Sequence, residues 1–416
     1  DRYMPENETA VGDELELTIA DIAFGGDGVG RTSDGLSVFV PFTAVGEKVR
    51  VRITQRKKRF ARGEIVDLLK NSPERRKPSC MHFGTCGGCD YQHLSYEAEI
   101  TAKSAQLTAL IARIGHVSAE FAIAPIVPSP QPLGYRNKLV LQQCKPYPES
   151  GPGFGYVGRD KRTVLPIGAC PLASEGINAR LANTYLQPDE RTRMEKHKRV
   201  TIREDATKRV YLSTGPTRKP RKVKERALDR ELMLPLENFW QVNPTMFHRI
   251  LVHIKELVIQ RKPTTLLDLY CGSGAFALAL ADLVRHVCGV ESHSAAVGAA
   301  RACATRFALD HCTFIHGKTE DILDDVLTAT PELQTSFAIL DPPRAGCQPG
   351  TIDALRASPV ATLAYVACDA ARLARDLNLL CADGVYTIDS VGLFDMFPRT
   401  AHFESVAILT GHPSGD

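Results

Sequence analysis

Hydrophobic and polar positions change period twice along the chain. "DELELTIADIAFGGDGVGR" alternates and then breaks at a glycine turn, and "LSVFVPFTAVGEKVRVRITQRKKRFARGEIVDLL" holds three more alternating runs. Alternation marks half-buried strands. Several short strands with glycine turns in so short a stretch predict a small barrel of the oligonucleotide-binding type. "NSPERRKP" reads as a linker, and "YEAEITAKSAQLTALIARI" carries apolar positions at helical spacing. From Ile123 to Leu234 the mixture of Pro, Gly and β-branched residues predicts a sheet-rich middle region. Beyond Leu236 the period changes again. "MFHRILVHIKELVI" is an amphipathic helix, and the strand-like runs "TTLLDLY", "HVCGVES", "CTFIHGK", "SFAILDPPR" and "TLAYVACD" then alternate with helical stretches. That order predicts a parallel, doubly wound sheet.

The second half concentrates the chemistry. "LLDLYCGSG" puts Asp268 near the end of a buried strand, with Gly272 and Gly274 in the turn, and Glu291 ends the next strand. Glycines let a ligand approach the backbone, and an acid at the second strand end suits ribose hydroxyls. The full G-x-G-x-x-G fingerprint is absent, because Ala275, Phe276 and Ala277 follow Gly274. A nucleoside cofactor without a pyrophosphate, such as S-adenosylmethionine, therefore fits better than a dinucleotide. "ILDPPRAG" ends a third strand at Asp341 in a loop stiffened by two prolines. Cys368 ends the next strand on the same edge, which distinguishes it from an ordinary core cysteine. In "FPRTAHFESVAIL", Glu404 interrupts an apolar run, with His402 expected on the same strand face. A carboxylate in apolar surroundings acquires a raised pKa and acts as a base near neutral pH.

Composition narrows the setting. The 416 residues are 44% hydrophobic, enough for two or three cores, and the net charge is only +3. The basic residues nevertheless cluster, in "RKKRFAR" (Arg56–Arg62), "RTRMEKHKR" (Arg191–Arg199) and "RKPRKVKER" (Arg218–Arg226). Three such runs favour a phosphate-binding surface. Most of the twelve cysteines are scattered, unlike a disulfide framework. No signal-peptide pattern or bilayer-spanning apolar run is visible, so the cytoplasm is expected. Cys80, Cys86 and Cys89 are spaced C-x5-C-x2-C, and Cys170 in "PIGACPL" is a distant fourth thiol. Such a set suits an iron–sulfur cluster or zinc. The C-x3-C-x2-C spacing of radical chemistry is absent.

Together these motifs closely resemble the S-adenosylmethionine-dependent RNA uracil-C5 methyltransferases over nearly the whole chain. The resemblance implies a multidomain protein: a TRAM-like barrel over residues 1–72, a sheet-rich central domain over 73–235, and a Rossmann-like α/β methyltransferase domain over 236–416. The helix near residues 95–115 would pack on the last of these. The cysteine spacing resembles the branch in which Cys80, Cys86, Cys89 and Cys170 hold a [4Fe-4S] cluster. "FWQVNP" resembles the segment that puts Gln241 beside the methyl donor, with Tyr270, Glu291 and Asp341 as further cofactor contacts. Cys368 maps to the nucleophile and Glu404 to the base that takes the C5 proton. RNA is the implied partner, ribosomal 23S RNA before transfer RNA, and a monomer is expected.

There is one departure. The family reads Ser-Cys-Asn-Pro around its nucleophile, whereas this chain reads Ala367-Cys368-Asp369-Ala370. An ionised Asp369 would raise the thiol pKa, while a cap position at the following helix, with Arg372 and Arg375 nearby, would offset it. Two rival readings follow: a methyltransferase acting on exocyclic amines, which needs no thiolate, and a non-catalytic RNA-binding protein with a decayed site.

Overall fold

The computed structural model describes residues 9–114, 122–145, 153–187, 189, 192, 194–215 and 220–412. Arg191, Arg193, Arg218 and Lys219 of the basic runs lie outside the described residues. The chain forms two compact units. The first comprises residues 1–106, 157–163 and 399–401, and the second residues 107–156, 164–398 and 402–416. Among the described residues no helix is long and apolar enough to cross a membrane.

In the first unit, β1 (Glu14–Ile22), β2 (Gly28–Arg31), β3 (Ser37–Val40), β4 (Lys48–Arg56) and β5 (Phe60–Lys70) close a barrel in the order β1-β2-β3-β5-β4. Alternate residues point inward, so Leu17, Ile19, Val38, Val40, Val49, Val51 and Ile53 fill the interior. Each such aliphatic side chain contributes about 1.5–3 kcal/mol when buried. The outer face is laced with ion pairs: Lys48 with Glu16, Arg50 with Asp67, Arg52 with Glu14 and Arg62 with Asp27. Exposed pairs of this kind stabilise little, but they do neutralise the barrel wall. Lys57, Lys58 and Arg59, between β4 and β5, stand exposed.

The second unit contains β6 (Ala122–Ile123), β7 (Lys138–Gln143), most of β8 (Phe154–Val157), β9 (Val164–Pro166), β10 (Arg199–Glu204) and β11 (Val210–Ser213). The last five make a sheet in the order β11-β10-β7-β8-β9, and β12 (Lys222–Ala227) pairs with β13 (Arg230–Pro235). The larger sheet adds β14 (Thr265–Leu269), β15 (His286–Glu291), β16 (Cys312–His316), β17 (Ser336–Leu340), β18 (Thr362–Ala367), β19 (Tyr386–Phe394) and β20 (Glu404–Gly411). Its order is β16-β15-β14-β17-β18-β20-β19-β6.

Strands β14 to β18 run parallel, as the alternation of strands and helices predicts. The sheet as a whole is mixed, because β20 runs antiparallel to β18 and β19 antiparallel to β20. A final strand can reverse in this way because a short connection replaces the crossover helix that parallel pairing needs. Every residue of β14, β17 and β18 is buried. Helices cover both faces, and Leu107 and Ile111 of the helix Tyr96–Ile114 join one of those cores. The strand order reverses between β14 and β17, so the crevice for a ligand opens at their carboxyl ends.

Candidate active site

The register of the sheet brings most of the sequence-identified residues to one edge. Leu269 pairs with both Val290 and Leu340, so Tyr270, Glu291 and Asp341 leave β14, β15 and β17 at one level. Ala367 pairs with Ser405 in the antiparallel pair β18–β20. Continuing that register by one residue sets Cys368 opposite Glu404. Gln241 lies outside the sheet, on the segment before the helix Pro244–Arg261.

Local interactions fix the glycine turn. The Asp268 carboxylate accepts the Ala277 N–H at 2.8 Å, tying the start of the helix Ala275–Leu280 to β14. Its other oxygen has no partner among the described residues, and burial pushes this carboxyl up to about 8. Gly274 has φ +79°, and a Cβ there would meet Phe314, Ala300 and Leu278 at 3.0–3.2 Å. Glu291 accepts the Gly272 N–H at 3.0 Å and the His293 N–H at 2.7 Å. The Gln241 segment is anchored to the same turn. Asn238 donates to the Ser273 hydroxyl at 3.1 Å, and Asn243 caps the following helix by accepting the Met246 N–H. Trp240, Phe247 and Phe276 stack edge to face behind it. An acid level with an aromatic side chain and a second acid, beside a tight turn, forms a donor set that fits a nucleoside cofactor.

The reactive end is electrostatically crowded. Glu404, expected to be partly buried, is only 2% exposed. Burial holds its carboxyl well above the ordinary range, the neighbouring Asp341 raises it further, and Arg344 opposes both. Burial likewise raises Asp341. The Cys368 thiol is pushed up to about 12, first by burial and then by Glu404, with Arg344 acting the other way and Asp341 and Asp369 adding small increments. Arg344 is the last residue of the DPPR run, and no local pattern gives it a role. Its place directly after two prolines at a strand end was the available signal.

Two expectations need correction. His402 does not share a strand face with Glu404: β20 begins at Glu404, and His402 precedes it and is exposed. Arg375 does not neutralise Asp369, because its guanidinium is held by Asp376 at 2.6 Å. Asp369 is instead the helix cap, accepting the Arg372 N–H at 3.0 Å. For the cysteines, no group of three or more His, Cys, Asp or Glu side chains is gathered to hold a metal among the described residues. Cys80, Cys86 and Cys89 do share one loop of the first unit. There the Cys80 N–H donates to Gln92 Oε1 at 3.0 Å, and Gln92 Nε2 donates to Cys89 Sγ at 3.2 Å. Cys170, in the second unit, is held by Asn178, which accepts its N–H at 2.9 Å.

A doubly wound sheet with acids, a glycine turn and a cysteine along its carboxyl edge defines a transferase that uses a nucleoside cofactor. Sequence comparison makes the class specific. Residues 191–412 match the family tRNA (Uracil-5-)-methyltransferase, and residues 8–66 match the TRAM domain. The chain belongs to this family and is an S-adenosylmethionine-dependent RNA (uracil-C5) methyltransferase. Among its relatives is an uncharacterized RNA methyltransferase of Nostoc, 32% identical over 97% of this chain and 98% of that one. Another is the 23S rRNA (uracil(1939)-C(5))-methyltransferase RlmD of Xanthomonas axonopodis, 30% identical over 95% and 97%. The fold is shared with the Pyrococcus abyssi tRNA (uracil-54, C5)-methyltransferase solved with S-adenosyl-L-homocysteine. The TM-score is 0.71 at 23% identity, covering 95% of this chain and 100% of that one.

Proposed function

We propose that this chain acts in the cytoplasm as a monomer, methylating C5 of one uridine in 23S ribosomal RNA through a bond between Cys368 and C6 of the base. The observation that carries this reading is the register that sets Cys368 opposite the buried Glu404, with Asp341 at the neighbouring strand end. The RlmD relatives, matched over nearly their whole length, support the choice of RNA.

C5 of uracil is a poor nucleophile. The Cys368 thiolate adds to C6, and the electrons of the C5–C6 double bond move into the ring carbonyl as an enolate. C5 of that enolate then takes the methyl group. Glu404 removes the C5 proton, the double bond re-forms, and the C6–S bond breaks to return the thiolate. S-adenosylmethionine would be held by Gln241, Tyr270, Glu291 and Asp341 and would supply the methyl group as a sulfonium electrophile, departing as the neutral thioether S-adenosylhomocysteine. The base cannot be reached inside a stack, so the nucleotide is flipped out. The test is mass-spectrometric mapping of methylated uridines in RNA from cells with and without the gene. Loss of one 23S modification is expected, whereas loss of a tRNA modification would reassign the substrate.

The barrel serves RNA binding in this reading. Lys48, Arg50, Arg52 and Arg62 of its wall are paired with acids, and the exposed turn Lys57–Arg59 is the densest group of cations left to meet phosphates. Changing Lys57, Lys58 and Arg59 to Glu is expected to weaken RNA binding and flatten its salt dependence by up to roughly three charges' worth of slope. Affinity for the cofactor should not change. Filter-binding titrations across a salt series check this, and unchanged RNA affinity would make the turn an ordinary solvated loop.

The reading also assigns Cys80, Cys86, Cys89 and Cys170 to a [4Fe-4S] cluster. Three thiols on one short loop, one of them accepting an amide N–H, are a donor set suited to thiolate-bound iron. No step of the reaction needs a redox centre, so the cluster's part is structural or the positioning of RNA. Anaerobically purified protein is expected to hold about four irons per chain, and Cys86→Ser should remove them. Stoichiometric zinc without iron would defeat the assignment.

A further inference from the structure

The helix Ala370–Leu380 begins two residues after Cys368, and it buries a carboxylate where an apolar side chain would pack at less cost. Asp376 is fully buried. One of its oxygens accepts the Tyr365 hydroxyl at 2.6 Å and the Cys347 N–H at 2.9 Å. The other accepts Arg375 Nε at 2.7 Å. Arg375 Nη2 in turn donates to the Cys347 carbonyl at 3.2 Å and the Ala345 carbonyl at 3.4 Å. Three segments meet at this pair: the strand β18 that leads into Cys368, the helix that follows it, and the loop running from Asp341 through Arg344 to Cys347. The fit leaves no slack. Gly346 has φ +78°, and a Cβ there would lie 2.7 Å from Arg375 Nη2 and 2.8 Å from an Asp376 oxygen.

We propose that Asp376, with Arg375, is a positioning residue for the methyl-transfer reaction, holding the Asp341–Cys347 loop and its Arg344 in register with Cys368. The inference rests on the assignment of Cys368 as nucleophile. Among the charges acting on that thiol, Glu404, Asp341 and Asp369 disfavour the thiolate, and Arg344, on the loop that Asp376 pins, favours it. Tyr365 lies three residues before Cys368, so its hydroxyl registers the nucleophile's own strand to the same point. Releasing the loop moves this favourable charge without touching the substrate.

The experiment compares iodoacetamide alkylation of Cys368 in the parent, Asp376→Asn and Tyr365→Phe proteins between pH 7 and 9.5, by peptide mass spectrometry, with no RNA present. Asp376→Asn is expected to slow alkylation about threefold or more at every pH, the effect of roughly half a pKa unit on a thiol below its pKa. Tyr365→Phe should give a smaller slowing in the same direction. In methyl transfer, kcat should fall with KM for RNA unchanged. A side chain that only stabilised the fold would have the opposite effect, since loosening exposes thiols, so unchanged or faster alkylation of Cys368 overturns the inference. The buried Cys271 and Cys303, both away from this loop, report on folding in the same digest. If they become reactive in Asp376→Asn, Tyr365→Phe is judged alone by the same criterion. Failure of the nucleophile assignment reads out separately, as turnover retained by Cys368→Ala.

Discussion

RNA carrying 5-fluorouridine at the target position is expected to form a complex with this protein that survives denaturing electrophoresis, and Cys368→Ala is expected to form none. The analogue accepts the thiolate at C6 and the methyl group at C5, but fluorine replaces the proton that Glu404 would remove. Elimination is blocked and the C6–S bond persists. In the proposed mechanism Cys368→Ala removes the sulfur that makes this bond, so turnover on ordinary RNA should fall below detection. The parent's rate should also rise with pH. With the thiol pushed up to about 12, its thiolate fraction grows about tenfold per unit through the neutral range. The slope continues until a later step limits. Normal turnover by Cys368→Ala would sink the covalent mechanism and return the exocyclic-amine reading to favour.

Glu404→Gln is the second large effect, and it separates chemistry from stability. Addition to C6 and methyl transfer need no base at C5, so both should proceed. Release should slow by roughly 10²- to 10⁴-fold, the usual contribution of a positioned base. The variant is therefore expected to accumulate methylated RNA bound to protein, using ordinary uridine, which denaturing gels with a labelled methyl group detect. Stability should move the other way. The native carboxyl is held well above its ordinary value by burial and by Asp341. A raised carboxyl contributes stability below its unfolded pKa and loses it as pH rises through the native one, because the unfolded chain ionises first. Glutamine carries no such penalty. Glu404→Gln should thus melt a few degrees higher than the parent at pH 8 and coincide with it near pH 4. A lower melting temperature at pH 8 would show that Glu404 is a structural carboxylate.

The barrel, the parallel strands and the carboxyl-edge residues were legible in the sequence because each rests on local rules. Alternation of period two needs only a half-buried face, as in Leu17–Ile19 and Val49–Val51–Ile53. A glycine at positive φ, such as Gly274, needs only its own turn. The motif around Cys368 likewise names a strand end, because a buried apolar run must stop where its helix begins. Asp369 as a cap was readable from its position alone.

What tertiary structure decided is how these ends meet. Nothing local distinguishes an antiparallel β20 from a parallel one, yet that direction is what sets Glu404 opposite Cys368. His402 lies two residues outside the strand because pairing, not pattern, chose where β20 begins. The charge on Arg344 matters only because β17 and β18 are neighbours, and the loop partners of Arg375 and Asp376, Ala345 and Cys347, lie about thirty residues earlier. The sequence by itself determined the elements, the strand-end residues and the family. The shared environment of Cys368, Glu404, Asp341 and Arg344 was decided only by the sheet order, because desolvation and Coulomb interactions act through space between groups far apart along the chain.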